Sequence, residues 1–263
     1  MIDDSGGGDG PKGGATLETV TMLHGFTQTG RCLGPVADGL RQSHEVLAPD
    51  LPGHGDTAGL AWMDCRSIAD HLVDLCGPSH WIGYSLGGRI ALQIAVAHPG
   101  SVHSLVLIGA TAGIEDPTAR RDRRSLDHER ATEVERLGVD EFTRRWLGMD
   151  MFAGLPPSAH YLGERRTNTA EGLAGSLRNA GTGSMEPLWE RLRELRMPVL
   201  LLSGEHDTAF TGIAERMEAH IGGNATAVTV PGAGHAAHLE APGPVLELIE
   251  DHLRHCDRSE GLT

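Results

Sequence analysis

Short apolar runs recur along the chain, and most give way to stretches with helical spacing. Leu17 to Leu23, Glu45 to Asp50, the run ending at Trp81-Ile82-Gly83-Tyr84, Leu105 to Ile108, Val199 to Leu202 and Ala227 to Val230 each read as a strand. Between and after them lie helical patterns: Ile68, Leu72 and Leu75 within Ile68–Cys76, then Ile90 to Ala95, and an amphipathic helix over about Pro244–His255. Proline and glycine punctuate these elements, as in Gly77-Pro78 and Pro99-Gly100. Strands alternating with helices predict an α/β fold with a mostly parallel sheet flanked by helices.

The alternation breaks from about Thr111 to Pro187. That interval has no buried-strand run, and its arginines and glutamates (Arg120, Arg121, Arg123, Arg124, Glu129, Arg130) interleave with helical apolar spacing. It is expected to be a helical cap inserted into the sheet domain, with most of its charges on a solvated face. The division expected is therefore a Gly- and Asp-rich disordered tail over 1–15, a core over 16–110 and 188–256, and a cap over 111–187.

One stretch organises the rest. Trp81 to Tyr84 runs into Ser85-Leu86-Gly87-Gly88-Arg89 and directly into a helical pattern, the strand–turn–helix context of a nucleophile elbow. Gly83 and Gly87 let strand and helix approach closely, and the turn puts the Ser85 hydroxyl at a helix N-terminus, where free N–H groups can hold an oxyanion. Asp207 follows the Val199–Leu202 run, and His235 follows the last strand in Pro231-Gly232-Ala233-Gly234-His235. The chain order Ser85, Asp207, His235 is that of the α/β-hydrolase fold. In this arrangement His235 takes the Ser85 proton and Asp207 orients His235. His206 and His238 are weaker candidates for the base. The strand ending in His24-Gly25-Phe26 supplies a second oxyanion donor, so the Phe26 and Leu86 N–H groups are the expected pair. His24 and His54 are expected to brace loops.

Charge and composition narrow the partners. The 263 residues are 39% hydrophobic and 22% charged, with a formal net charge of −14, which argues against nucleic acid or an anionic membrane surface. Cys32, Cys65, Cys76 and Cys256 show no CxxC spacing and are expected to be thiols in a cytoplasmic protein. No signal segment or bilayer-length apolar run appears. No metal-ligand spacing or dinucleotide fingerprint is evident, so neither metal nor organic cofactor is expected, in a monomer or homodimer.

The stretches LHGFTQTG (23–30), APDLPGHGDT (48–57), GYSLGGRIAL (83–92), GLAGSLRNAGTG (172–183), PLWERL (187–192) and PGAGHAAHLE (231–240) resemble the MenH family of 2-succinyl-6-hydroxy-2,4-cyclohexadiene-1-carboxylate synthases over nearly all of residues 17–254. The elbow and His-Gly-Phe motifs are shared widely among α/β-hydrolases. Arg89 and the segment from SLRNAGTG to PLWERL are more specific. The resemblance implies elimination of pyruvate from a small tricarboxylate in menaquinone biosynthesis, with Ser85 as a general base. It also implies Tyr84, Arg89, Arg123, Trp146 and Arg166 as substrate-binding residues. Arg89 has an independent basis too, lying one helical turn from Ser85. Where the family usually carries Lys-Phe after the triad acid, this chain has Asp207-Thr208-Ala209-Phe210. The alternatives are a serine hydrolase of ester or carbon–carbon bonds, and a non-catalytic ligand receptor of the same fold.

Overall fold

The computed structural model describes residues 17–260, so the tail expected over 1–15 lies outside the described residues. The described strands are β1 (Thr19–Leu23), β2 (Glu45–Leu47), β3 (Ser79–Tyr84), β4 (Val102–Ile108), β5 (Val199–Gly204) and β6 (Ala225–Val230). They form one sheet in the order β2-β1-β3-β4-β5-β6, with every pair parallel. Their alternate residues face opposite ways, as strand geometry requires. Trp81, Leu105, Leu107 and Leu201 enter the apolar layer on one face. Ile82, Val106, Ile108 and Leu200 enter the layer on the other. Burial on both faces is why these strands read as continuous apolar runs.

β2 is shorter than the run Glu45 to Asp50 predicts. Pro49 has no N–H for the ladder. Asp50 instead accepts from the Gly30 N–H at 2.8 Å and the Asp56 N–H at 3.0 Å, tying two loops together. The last helix begins at Pro242, two residues earlier than expected, and runs to Glu260. Among the described residues, no helix is long and apolar enough to cross a membrane.

The chain leaves β1 toward β2 and returns to pair β3 on the other side of β1, so the order in which strands are added reverses between β1 and β3. Parallel sheets bind ligands in the crevice at the carboxyl ends beside such a reversal. Phe26 follows β1 there, and Ser85 follows β3. Four helices, Pro117–Leu137, Val139–Leu147, Leu162–Arg165 and Ala170–Ala180, are inserted between β4 and β5. The first, second and fourth of these pack around a small apolar centre that includes Ala131, Val134, Phe142, Leu173 and Leu177. Asp116 caps the longest of them through the Ala119 N–H at 2.7 Å, and Pro117 occupies its first turn.

The helix Leu86–Ala97 crosses β1 and β3 at backbone distance. A Cβ on Gly83 would stand 2.4 Å from the Gly87 carbonyl oxygen, and one on Gly87 would stand 2.2 Å from that of Leu23. Both obstacles are main chain and cannot rotate away. We therefore expect Gly87→Ala to lower the free energy of unfolding by about 1–3 kcal/mol or to prevent folding. A denaturant midpoint equal to wild type would contradict this packing.

Buried imidazoles brace the loops around the crevice. The Leu51 N–H donates to His24 Nε2 at 2.9 Å, so His24 carries its proton on Nδ1 and gives it to the Gly25 carbonyl at 2.9 Å. Burial lowers the pKa of His24 to about 4, and those of His54 and His238 to about 3. In the unfolded chain each would take up a proton near pH 6.5. Below pH 6.5 the unfolded chain thus binds protons that the folded chain refuses. The stability these rings contribute is full above that pH and is lost on the way down to about 4 and then 3. The loss is on the order of 1 kcal/mol per ring for each pH unit. Urea midpoints should be lower at pH 5 than at pH 7, and equal midpoints would refute the neutral burial of these rings.

Candidate active site

Ser85 is one of three non-glycine residues with positive φ among the described residues, at φ 51° and ψ −105°. It is held on both sides: its N–H donates to the Ile108 carbonyl at 2.9 Å, and its own carbonyl accepts from the Arg89 N–H at 3.1 Å. Such a conformation costs on the order of 1–3 kcal/mol and persists only where the surroundings fix it. The Gly87 N–H then donates to the His24 carbonyl at 3.0 Å, which joins the start of the helix to the loop carrying Phe26. Phe26, Leu86 and Ser85 line one cavity as a result.

Of the three residues expected to form a triad, His235 lies within hydrogen-bonding distance of the other two. His235 Nε2 lies 3.2 Å from Ser85 Oγ, and His235 Nδ1 lies 2.6 Å from Asp207 Oδ2. With Nδ1–H given to the carboxylate, Nε2 is free to accept the serine proton. Asp207 precedes the helix Thr208–Ile221, whose N-terminal dipole favours an anion there. The loop carrying His235 is clamped by Glu240, which accepts from the Gly234 N–H at 2.7 Å and the Ala236 N–H at 3.0 Å. Phe210 packs on the imidazole with centroids 4.7 Å apart. His238 is buried against Tyr84, 4.4 Å between centroids, and His206 is exposed. Neither has a hydrogen bond to Ser85 among the described residues.

A cavity of about 350 Å³ opens over Ser85 and His235, roofed by the inserted helices. Three guanidiniums line it, those of Arg89, Arg123 and Arg130, against a single carboxylate, Asp127. Arg89 is 7% exposed and gives one N–H to the Ala180 carbonyl at 2.8 Å. Burial lowers its pKa, while the nearby Cys65 thiol opposes that shift. Arg123 donates to Asp127 Oδ1 at 2.9 Å, and the other oxygen of Asp127 accepts from the Gly183 N–H at 3.1 Å. Arg130 stands over the Trp146 ring, 5.4 Å from its centroid, with its pKa lowered by burial and then by Arg123. One buried carboxylate cannot neutralise three cations, so the cavity is suited to an anionic ligand.

The residues expected to bind substrate fall in different places. Arg89, Arg123 and Trp146 line the main cavity. Tyr84 lines a smaller recess beside it, together with Ser85, Trp146 and His235. Arg166 requires correction. Its side chain is 56% exposed and pairs with Asp140 at 2.9 Å on the outer surface, away from both spaces. The inward residue is its neighbour Arg165, which lines the recess and donates to Thr27 Oγ1 and to the His160 carbonyl at 2.7 Å. The helix Leu162–Arg165 ends between them, turning one arginine in and the next out. Arg165 and Asn168, whose side-chain amide donates to the Thr27 carbonyl at 2.9 Å, hold the positive-φ turn next to Phe26. Sequence reasoning missed Arg130 as a cavity residue. Its one available signal was the i, i+7 spacing from Arg123 on one helical face.

Comparison with known proteins places the chain in a family. The alpha/beta hydrolase family matches residues 22–248. A Bacillus subtilis relative is 31% identical, and the alignment covers 90% of each chain. The 2-succinyl-6-hydroxy-2,4-cyclohexadiene-1-carboxylate synthase of Enterobacter sp. is 31% identical over 89% of this chain and 91% of its own. The solved structure of MenH from S. aureus is 29% identical and superposes with a TM-score of 0.85, over 92% of this chain and 95% of that one. The chain belongs to the alpha/beta hydrolase family and, within it, to the MenH family.

Proposed function

We propose that the protein is a 2-succinyl-6-hydroxy-2,4-cyclohexadiene-1-carboxylate synthase of menaquinone biosynthesis. It would form that product by eliminating pyruvate from 2-succinyl-5-enolpyruvyl-6-hydroxy-3-cyclohexene-1-carboxylate. One observation carries the reading: a serine–histidine–aspartate relay opens into a cavity with three guanidiniums and one carboxylate. A neutral ester needs no such cations, whereas a tricarboxylate does. The four cysteines, read as thiols, and the biosynthetic role support a cytoplasmic location.

In this mechanism Ser85 passes its proton to His235 Nε2 and takes the ring proton next to the succinyl ketone. The electron pair moves through a dienolate into the ring, and the bond to the enolpyruvyl oxygen breaks. The leaving enolate takes up a proton and departs as pyruvate, so the elimination is balanced without a co-reactant. Asp207 stays ionised and stabilises the imidazolium. The Phe26 and Leu86 N–H groups hold the dienolate oxygen, each worth about 3–4 kcal/mol in the transition state. Arg89 and Arg123 hold carboxylates, Trp146 forms an apolar wall, and Tyr84 packs the floor beside His235. The pyruvate released by the purified protein from the enolpyruvyl substrate is the direct test. Aryl-ester turnover with no pyruvate release would instead favour the hydrolase.

Ser85→Ala and His235→Ala should each remove most of the turnover, and the double variant should lose little more, because the two act as a unit. Near-normal rates in either folded single variant would exclude the relay. The arginines provide a separate check. Arg89→Ala should lower kcat/KM for the tricarboxylate by roughly tenfold to a hundredfold, with Arg89→Lys recovering part of it. Arg166→Ala, on the outer surface, should stay within about twofold of wild type. If Arg166→Ala were as damaging as Arg89→Ala, the placement of the cap arginines would be wrong.

A further inference from the structure

A second group of metal-ligating side chains lies at the opposite end of the sheet. His80 is the second residue of β3, and Ser85 follows that strand's last residue, about 16 Å away at 3.3 Å per residue. His80 is buried, and its Nε2 sits 3.2 Å from Oε2 of Glu18, the residue before β1. His103 of β4 brings Nδ1 to 3.9 Å from the same oxygen. The three ligand atoms all lie within 4.8 Å of one another, and among the described residues they form the one such group of three.

A break in the ladder makes this convergence possible. Ser79 pairs with Val102, but His80 pairs with Ser104, so His103 is an extra residue in β4. In a regular strand His103 and Ser104 would point to opposite faces. A bulge of this kind re-aims a side chain. Here Ser104 Oγ meets His80 Nδ1 at 2.8 Å while His103 meets Glu18 on the other side of the same ring. The two imidazoles stand edge to face, 5.3 Å between centroids.

We propose that Glu18, His80 and His103 bind a divalent ion of the zinc class, which clasps β1, β3 and β4 at their amino edge. Two imidazoles and a carboxylate suit a borderline ion such as Zn²⁺ and not Mg²⁺ or Ca²⁺, which prefer all-oxygen shells. Ligand atoms around a tetrahedral zinc stand about 3.3 Å apart, given bonds of about 2.0–2.1 Å. The Glu18–His80 separation of 3.2 Å already fits, and the 35% exposed His103 has room to close the remainder. Ser104 fixes the His80 ring from behind, as outer-shell partners do, and its hydroxyl can accept Nδ1–H when Nε2 ligates. His103 Nδ1 is a buried atom with no hydrogen bond among the described residues and only the 3.9 Å approach of Glu18, so metal binding would give it a ligand bond in place of a missing hydrogen bond. A fourth position would be taken by water. The ion serves the sheet and lies apart from Ser85, so the elimination does not draw on it.

The test uses the full chain without an affinity tag, stripped with a chelator and then dialysed. Calorimetric titration with Zn²⁺ should give one saturable site per chain, and Co²⁺ should develop visible absorption bands at the same stoichiometry. Glu18→Gln and His103→Ala, both at partly exposed positions, should each weaken Zn²⁺ binding at least about tenfold while leaving pyruvate release unchanged. Zn²⁺ should also raise the thermal midpoint of wild type and not of these variants. Absence of stoichiometric binding would overturn the proposal. So would undiminished affinity in both variants, since the ion would then be held by others of the 15 histidines.

Discussion

The close crossing of the helix Leu86–Ala97 over β1 and β3 is the constraint from which the rest of the site follows. Two glycines permit it, because any Cβ at Gly83 or Gly87 would meet backbone. Where the backbones come that close, Ser85 sits at positive φ, held by hydrogen bonds to Ile108 and Arg89. The same crossing allows the Gly87 N–H to reach the His24 carbonyl, which brings the Phe26 loop beside Leu86. It also determines where Arg89 points, one turn along the helix toward the inserted segment. Ser85, the Phe26 and Leu86 backbone and Arg89 thus derive their positions from one backbone contact.

The roof over Ser85 obeys a different rule. The helix Pro117–Leu137 is mostly polar, and buries only Asp127, Ala131 and Val134. Its apolar contacts alone would hold it weakly, so specific polar contacts fix it: Arg123 with Asp127, Asp127 with the Gly183 N–H, and Arg124 with the Gly183 carbonyl at 3.1 Å. Gly183 is needed there, since a Cβ would stand 2.2 Å from the Arg124 nitrogen. Asp127 therefore does two things at once. It anchors the long helix to the turn after Ala170–Ala180, and it partly neutralises a cavity that would otherwise carry three uncompensated cations.

How much of this could be read from sequence depended on whether the signal was local. The strands and the elbow were legible because burial on both faces and a glycine-flanked turn leave marks within a few residues. Ser85, Asp207 and His235 were legible through chain order, each at the carboxyl end of an apolar run. The cap arginines were not, because an exposed salt-bridging arginine and a cavity-lining one look alike in a polar helix. Arg165 and Arg166 differ only in which side of a short helix end they face. The group of Glu18, His80 and His103 was invisible for a stronger reason. Its members are scattered along the chain, and their meeting depends on a bulge that no spacing rule encodes.

A chain with net charge −14 repels anions at a distance, yet the cavity over Ser85 is lined by guanidiniums. The two facts are compatible because of screening: at physiological salt, exposed charges are damped over about 8 Å, while charges in a dry cleft are not. The surface field therefore slows the approach of an anion without cancelling the attraction of the cavity cations at short range. The cavity cations, for their part, are costly to hold without a ligand, as the lowered pKa values of Arg89 and Arg130 indicate. A ligand's carboxylates relieve that cost on entry, so part of the binding energy is repayment for desolvation already borne by the fold. The surface charge and the cavity charge thus act at different ranges, and only the second bears on how a bound substrate is oriented toward Ser85.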